Sequence, residues 1–324
     1  MKLFDTQISR KPNRYPWTQE FINAMWQGFW TPNEFDFKGD KHNFKRDLTE
    51  EERRIIVKTL TAIGQIEIAV KKFWAQLGDH LPHPSMSDLG YVLANTEVIH
   101  NQAYEKLLDT LGLQKAFEEN LQEPVVKGRV EYLRKHLENS FTDNRKQYIY
   151  SIILFTLFVE NVSLFSQFYT ILWFNRYKNV LRDTAQQVKY TRNEEMIHAQ
   201  VGIKIINTLR QEYPELFDQE LEDKILKECA SAFEHESALI DWMIGTYSDD
   251  KISAPILKEF IKSRFNSSLS SIGFGKLFNI DSELIDDTMW MDEETLGNNM
   301  VDFFHSRPVE YTKKNRAYTE DDIF

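Results

Sequence analysis

Cysteine is almost missing. The 324 residues contain one, Cys229, so no disulfide can form within the chain, and no reducing cysteine pair is available. Such usage fits a reducing cytosol, and a cytoplasmic location is expected. Cys229 sits in a helix-like stretch and reads as a small core residue. Helix breakers are few, with 12 Gly and 9 Pro, and no stretch alternates apolar and polar residues over a strand's length. These absences leave an all-α fold. Excess positive charge is lacking too: the net charge of −11 argues against a general nucleic-acid surface. Met1 to Arg14 has no apolar core of a leader, so no signal peptide is expected. No apolar run reaches the roughly 18–20 residues of a membrane span. The longest, from Ile149 towards Phe174, is interrupted by Glu160, Asn161 and Gln167, and reads as the central helix of a large bundle.

What remains is helix in long pieces. A short one is expected over Pro16–Trp30, followed by a loop at 31–47. Thr49-Glu50-Glu51-Glu52 is a capping box that opens a helix to about Leu77. Further long helices are expected at about Ser87–Leu111, closed by Gly112, from Asp143 or Asn144 to Arg176, and over Asn179–Glu212. One or two shorter helices surround Pro124. Others are expected near 218–245 and 254–271, with short pieces over 280–303. The chain turns polar after Phe304, which suggests a domain of 1–304 and a flexible tail of 305–324.

Two words stand out in these helices: Glu97-Val98-Ile99-His100 and Glu195-Met196-Ile197-His198. A helix turns about 100° per residue, so residues three apart share a face, and each word presents a carboxylate beside an imidazole. Each follows an apolar helix carrying a single marked carboxylate, Glu67 before the first and Glu160 before the second. Glu160 lies in Leu157-Phe-Val-Glu-Asn-Val-Ser-Leu164. A buried carboxylate there costs several kcal/mol unless a cation meets it. A buried Lys or Arg would serve, but the two words point to metal. Four Glu and two His suit iron or manganese better than calcium or structural zinc. The same set is the known pattern of ferritin-like dimetal-carboxylate bundles, and a ferritin-like bundle with that site in its core is expected. The remaining histidines, His42, His80, His83, His136, His235 and His305, lack such partners and read as surface or loop residues.

Over nearly its whole length the chain resembles the small, radical-generating subunit of class I ribonucleotide reductase. Glu67, Glu97, His100, Glu160, Glu195 and His198 match that family's six ligand positions, and Tyr104 matches its radical tyrosine. Phe29-Trp30-Thr31-Pro32 is similar to the family's Phe-Trp-x-Pro, whose tryptophan relays the radical outward. Glu194 stands where an aspartate usually links that tryptophan to a ligand histidine. Tyr311 or Tyr318 would be the relay tyrosine of the tail, and the acidic end with Phe324 resembles the segment that docks on the large catalytic subunit. The resemblance implies a homodimer that oxidises a cysteine of that subunit, where ribonucleotides become deoxyribonucleotides. Glu67 in place of the more usual Asp, with Lys71 one turn on, most resembles the dimanganese subclass activated by superoxide (class Id). There a Mn(III)/Mn(IV) pair holds the oxidising equivalent, and Tyr104 is a neighbour of the oxidant. Two iron ions with a tyrosyl radical formed by oxygen, or a manganese–iron pair, are the alternatives. A stand-alone ferritin-like oxidase and an iron-storage bundle are the rival functions.

Overall fold

Helix ends in this chain are set by local chemistry, and most lie where the sequence marks them. The computed structural model describes residues 1–140, 142–291 and 293, and the side chains of 65–69 lie outside the description. It divides into Met1–Thr288 and Met289–Phe324; every helix named here belongs to the first unit. In order these are α1 (Trp17–Gln27), α2 (Lys38–Arg46), α3 (Glu50–Ala75), α4 (Leu77–His80), α5 (Pro84–Leu111), α6 (Gln114–Asn120) and α7 (Pro124–Ser140). Then come α8 (Arg145–Ile153), a π-helical segment (Leu154–Ser163), α9 (Phe165–Lys178), α10 (Arg182–Glu212), α11 (Gln219–Ile244), α12 (Ala254–Ser271) and α13 (Ser282–Asp286). Among the described residues the fold is all-α apart from a two-residue strand pair, Ser248–Asp249 with Ile252–Ser253.

The Thr49 capping box is present. Thr49 Oγ1 accepts from the Glu52 amide at 3.2 Å, and the Glu52 carboxylate accepts from the Thr49 amide at 2.8 Å. Gly112 closes α5 at φ 75°, where a side chain would be strained. Asn144 caps α8, accepting from the Gln147 amide at 3.1 Å.

Two local expectations are corrected. Residues 31–47 are not a plain loop but hold a 3-10 turn at Pro32–Glu34 and then α2. The reason is distant in sequence: Asp40, 1% exposed, accepts from the Asp183 and Thr184 amides and the Thr184 hydroxyl, and so caps α10. His83 is a loop residue, as expected, but neither it nor the helical His136 is at the surface. Both are buried, His83 against Gln7 Oε1 and the Lys2 carbonyl, His136 against Glu228 Oε1 at 3.0 Å.

Helix α3 packs along α5, and α10 packs on the π-helical segment and α9, while α11 and α12 cover the far side. The run Arg145–Lys178 is long and apolar enough to cross a membrane, but 94% of its most apolar window is buried inside the protein. It is the core helix. Its π turns are stabilised from outside. Arg264 Nε donates to the Asn161 carbonyl at 2.7 Å and Ser268 Oγ to that of Leu157 at 3.1 Å. Arg129 donates to the Ser163 carbonyl while paired with Glu236 at 3.0 Å, both buried. Gly202 lets α10 come this close: a Cβ there would meet Thr156 Cγ2 at 2.1 Å.

Candidate metal centre

The four ligand-bearing elements of the sequence reading are α3, α5, the π-helical segment and α10. The i, i+3 spacing puts Glu97 beside His100 on α5 and Glu195 beside His198 on α10, and the packing of the bundle turns both pairs inward. Glu97, His100, Glu160, Glu195 and His198 are all at most 1% exposed. One ligand atom from each of Glu97, Glu160, Glu195 and His198 lies within 4.8 Å of the others.

The two carboxylates of the Glu-x-x-His words are each split between the two rings. His198 Nδ1 lies 3.0 Å from Glu97 Oε1, 3.2 Å from Glu195 Oε2 and 3.6 Å from Glu160 Oε1. His100 Nδ1 lies 3.3 Å from Glu97 Oε2 and 3.3 Å from Glu195 Oε1. Two donor sets therefore sit side by side, joined by Glu97 and Glu195. The set around His198 is completed by Glu160. Glu67 lies on α3, but its side chain is outside the described residues.

These groups fit a pair of cations. Both oxygens of Glu97 and Glu195, Oε2 of Glu160 and Nδ1 of His198 are enclosed without a well-formed hydrogen bond, a costly arrangement unless an ion takes their lone pairs. Among the described residues no Lys or Arg pairs with these carboxylates. Donor atoms about 3 Å apart also suit ligands held around one ion at about 2.0–2.2 Å. Acid–base chemistry points the same way. Burial, with repulsion from Glu195, raises Glu160 well above the usual carboxylate range. Burial opposes charge on His198, but Glu195 and Glu160 outweigh it and raise that imidazole. Burial and Glu195 oppose charge on Glu97 as well, yet the two imidazoles hold it below its ordinary value. A metal-free site thus keeps protons on Glu160 and His198 as substitutes for the positive charge it is built to hold.

Glu194 links this centre to Trp30. Its Oε2 accepts from Trp30 Nε1 at 2.9 Å and lies 2.7 Å from His100 Nε2. The longer acid therefore spans the gap between the two rings. Trp30 is 1% exposed, near-parallel to His100 at 6.2 Å between ring centres, and flanked by Phe35 and Tyr190. Tyr104 is buried on α5. Lys71 is half-buried on α3 and has no ion pair among the described residues. Tyr311 and Tyr318 lie outside them, as does the whole of 305–324.

Two contacts were not read from the sequence. Trp74 Nε1 donates to Glu160 Oε1 at 2.5 Å. Its position seven residues after Glu67, on the same helical face, was the available signal. Thr96 Oγ1 lies 3.1 Å from His198 Nε2, and nothing local marks it.

A family model described as ribonucleotide reductase, small chain, matches residues 7–284. The ribonucleoside-diphosphate reductase subunit beta of Halalkalibacterium halodurans is 25% identical over 313 residues, which cover 93% of this chain and 87% of that protein. Among solved structures, the ribonucleotide reductase R2 subunit from Clostridium botulinum superposes with a TM-score of 0.80 at 20% identity, covering 90% of this chain and 93% of that one. Streptococcus sanguinis dimanganese(II)-NrdF gives 0.74 at 14% identity, covering 87% and 97%. At such identities the two structures speak for the fold. The family match spans every one of the six Glu and His positions, and on it the chain belongs to the ribonucleotide reductase small-chain family.

Proposed function

We propose that this chain initiates the radical chemistry of a ribonucleoside-diphosphate reductase, as a homodimer working with a separate large subunit that binds the ribonucleotide. The observation that carries the reading is the single oxygen, Glu194 Oε2, shared by Trp30 Nε1 and His100 Nε2. It gives an unbroken hydrogen-bonded link from a ligand imidazole to an aromatic ring that can be oxidised. When bound, two redox-active ions supply the oxidising equivalent. The side chains do the rest. Glu97 and Glu195 hold the two donor sets at a fixed separation. Loss of an electron makes the Trp30 N–H strongly acidic, and Glu194 Oε2 is within reach to take that proton. Phe35 and Tyr190 pack on the ring and help keep water from it. Beyond Trp30 the path runs to Tyr311 or Tyr318 in the tail, which docks on the large subunit, and then to a cysteine there.

For the metal we favour two manganese ions activated by superoxide. The support is Glu67 at the first ligand position and Lys71 four residues on, where an ammonium would attract an anionic oxidant. Two iron ions, or one of each metal, fit the same donors. Tyr104 then serves as a packing neighbour of the centre.

Turnover with the large subunit tests the relay. Trp30→Phe is expected to bind metal normally and to lose nucleotide reduction; full retained turnover would sink the relay. Electron paramagnetic resonance after manganese loading and superoxide exposure tests the metal. A coupled manganese multiline signal is expected, whereas a sharp tyrosyl signal obtained only with iron would overturn the choice. Activity without any large subunit would favour the stand-alone oxidase.

A further inference from the structure

The two ligand imidazoles are backed by unlike groups. Thr96 Oγ1 is 2.7 Å from the Leu93 carbonyl, which can only accept, so the single hydroxyl proton is committed there. Towards His198 Nε2, 3.1 Å away, Thr96 can present only a lone pair. Once a bound ion has displaced the extra proton of the metal-free ring, the one that His198 keeps must then sit on Nε2. That leaves Nδ1, which has no hydrogen bond of its own, facing Glu97, Glu195 and Glu160 with a lone pair. His100 adopts the same tautomer for a different reason: its Nε2 meets the Glu194 carboxylate at 2.7 Å. A charged acceptor at the shorter distance pushes electron density into the ring, and a neutral hydroxyl at 3.1 Å does much less.

We propose that Thr96 is the positioning residue for His198, and that its neutral backing makes the His198 metal position the weaker of the two, filled second. The inference rests on the two-metal reading of the site. Thr96 also forms one wall of a surface pocket of about 180 Å³, together with Met25, Trp26, Phe29, Tyr91 and Asn95. Shortening residue 96 therefore opens the back of His198 to that pocket, where water can replace the hydroxyl as acceptor.

This pocket makes the test discriminating. Metal-free protein is titrated with manganese(II), and the free ion is followed by its electron paramagnetic resonance. Wild type is expected to fill two sites in two steps. Thr96→Val, matched in size but unable to accept, should weaken the second step about 10–100-fold and leave the first unchanged. Thr96→Ser should match wild type, and Thr96→Ala should fall between Ser and Val, with equal melting temperatures of the metal-free proteins. If Thr96 only fills space, the order follows volume instead: Val binds like wild type and Ala is the weakest. That order, or a Val isotherm superimposing on wild type, overturns the inference. Should Val fail to fold, Ala binding as tightly as Ser overturns it, and Ala weaker than Ser at an equal metal-free melting temperature supports it. A wild-type protein that binds fewer than two ions overturns the two-metal reading itself, and with it this inference.

Discussion

Glu194 illustrates what one methylene can do. A single oxygen of this longer acid serves two rings, Trp30 and His100, while its other oxygen is enclosed without a partner. The acid is thus oriented by the two rings and not by satisfaction of both its oxygens. Glu228 is the opposite case, a carboxylate used for stability. It faces His136 Nε2 at 3.0 Å and accepts from Tyr150 Oη at 3.1 Å, and the His136 contact above all holds it down to about 2. Its folded pKa lies below its unfolded one, so its contribution is complete above about pH 4.5 and fades as pH falls towards 2. Glu228→Gln should cost about 1–2 kcal/mol at pH 7, allowing for solvent screening at this partly exposed site. Urea unfolding of both proteins from pH 7 downward checks this. The gap should close below about pH 4.5, and a gap independent of pH would count against the pairing.

At the scale of elements, the distance between α10 and the π-helical segment decides whether Glu160 reaches His198. Gly202 sets that distance. Gly202→Ala places a Cβ against Thr156 and should cost about 1–3 kcal/mol in stability, with manganese affinity reduced alongside; thermal melts and metal titration of the variant measure both. Unchanged metal binding would show that the helix gap is not limiting. The long helices were legible in the sequence because their ends are local: Thr49 with Glu52, Gly112 and Asn144 act within a turn or two of themselves. Helix α2 was not, because its anchor is Asp40 reaching Thr184. The π turns were not, because the side chains that take their carbonyls come from α7 and α12. The site divides in the same way. The carboxylate and imidazole pairs are written as i, i+3 words, while the Thr96 contact with His198 joins residues 102 apart.

For the whole molecule, each donor set draws on α5 and on α10, so bound ions tie together helices from the two halves of the chain. Chelation should therefore lower the melting temperature. Each ion at a hundred times its Kd should restore about 2.7 kcal/mol. Glu160 and His198 hold protons in the metal-free state, and binding must expel them, so the stabilisation should be larger at pH 8 than at pH 6. Calorimetric melts with and without manganese(II) at both pH values test the sign, and an equal gain would argue that no proton is displaced. The division of donors also has a meaning for biosynthesis. When Glu67, Glu97 and His100 leave the ribosome, Glu160, Glu195 and His198 have yet to be made. A nascent chain can offer only half a site, open and weak towards any passing ion. Neither donor set is whole until residue 195 has been added, and the second waits for residue 198, so the choice of metal falls to the folded protein and to whatever ions its compartment then supplies.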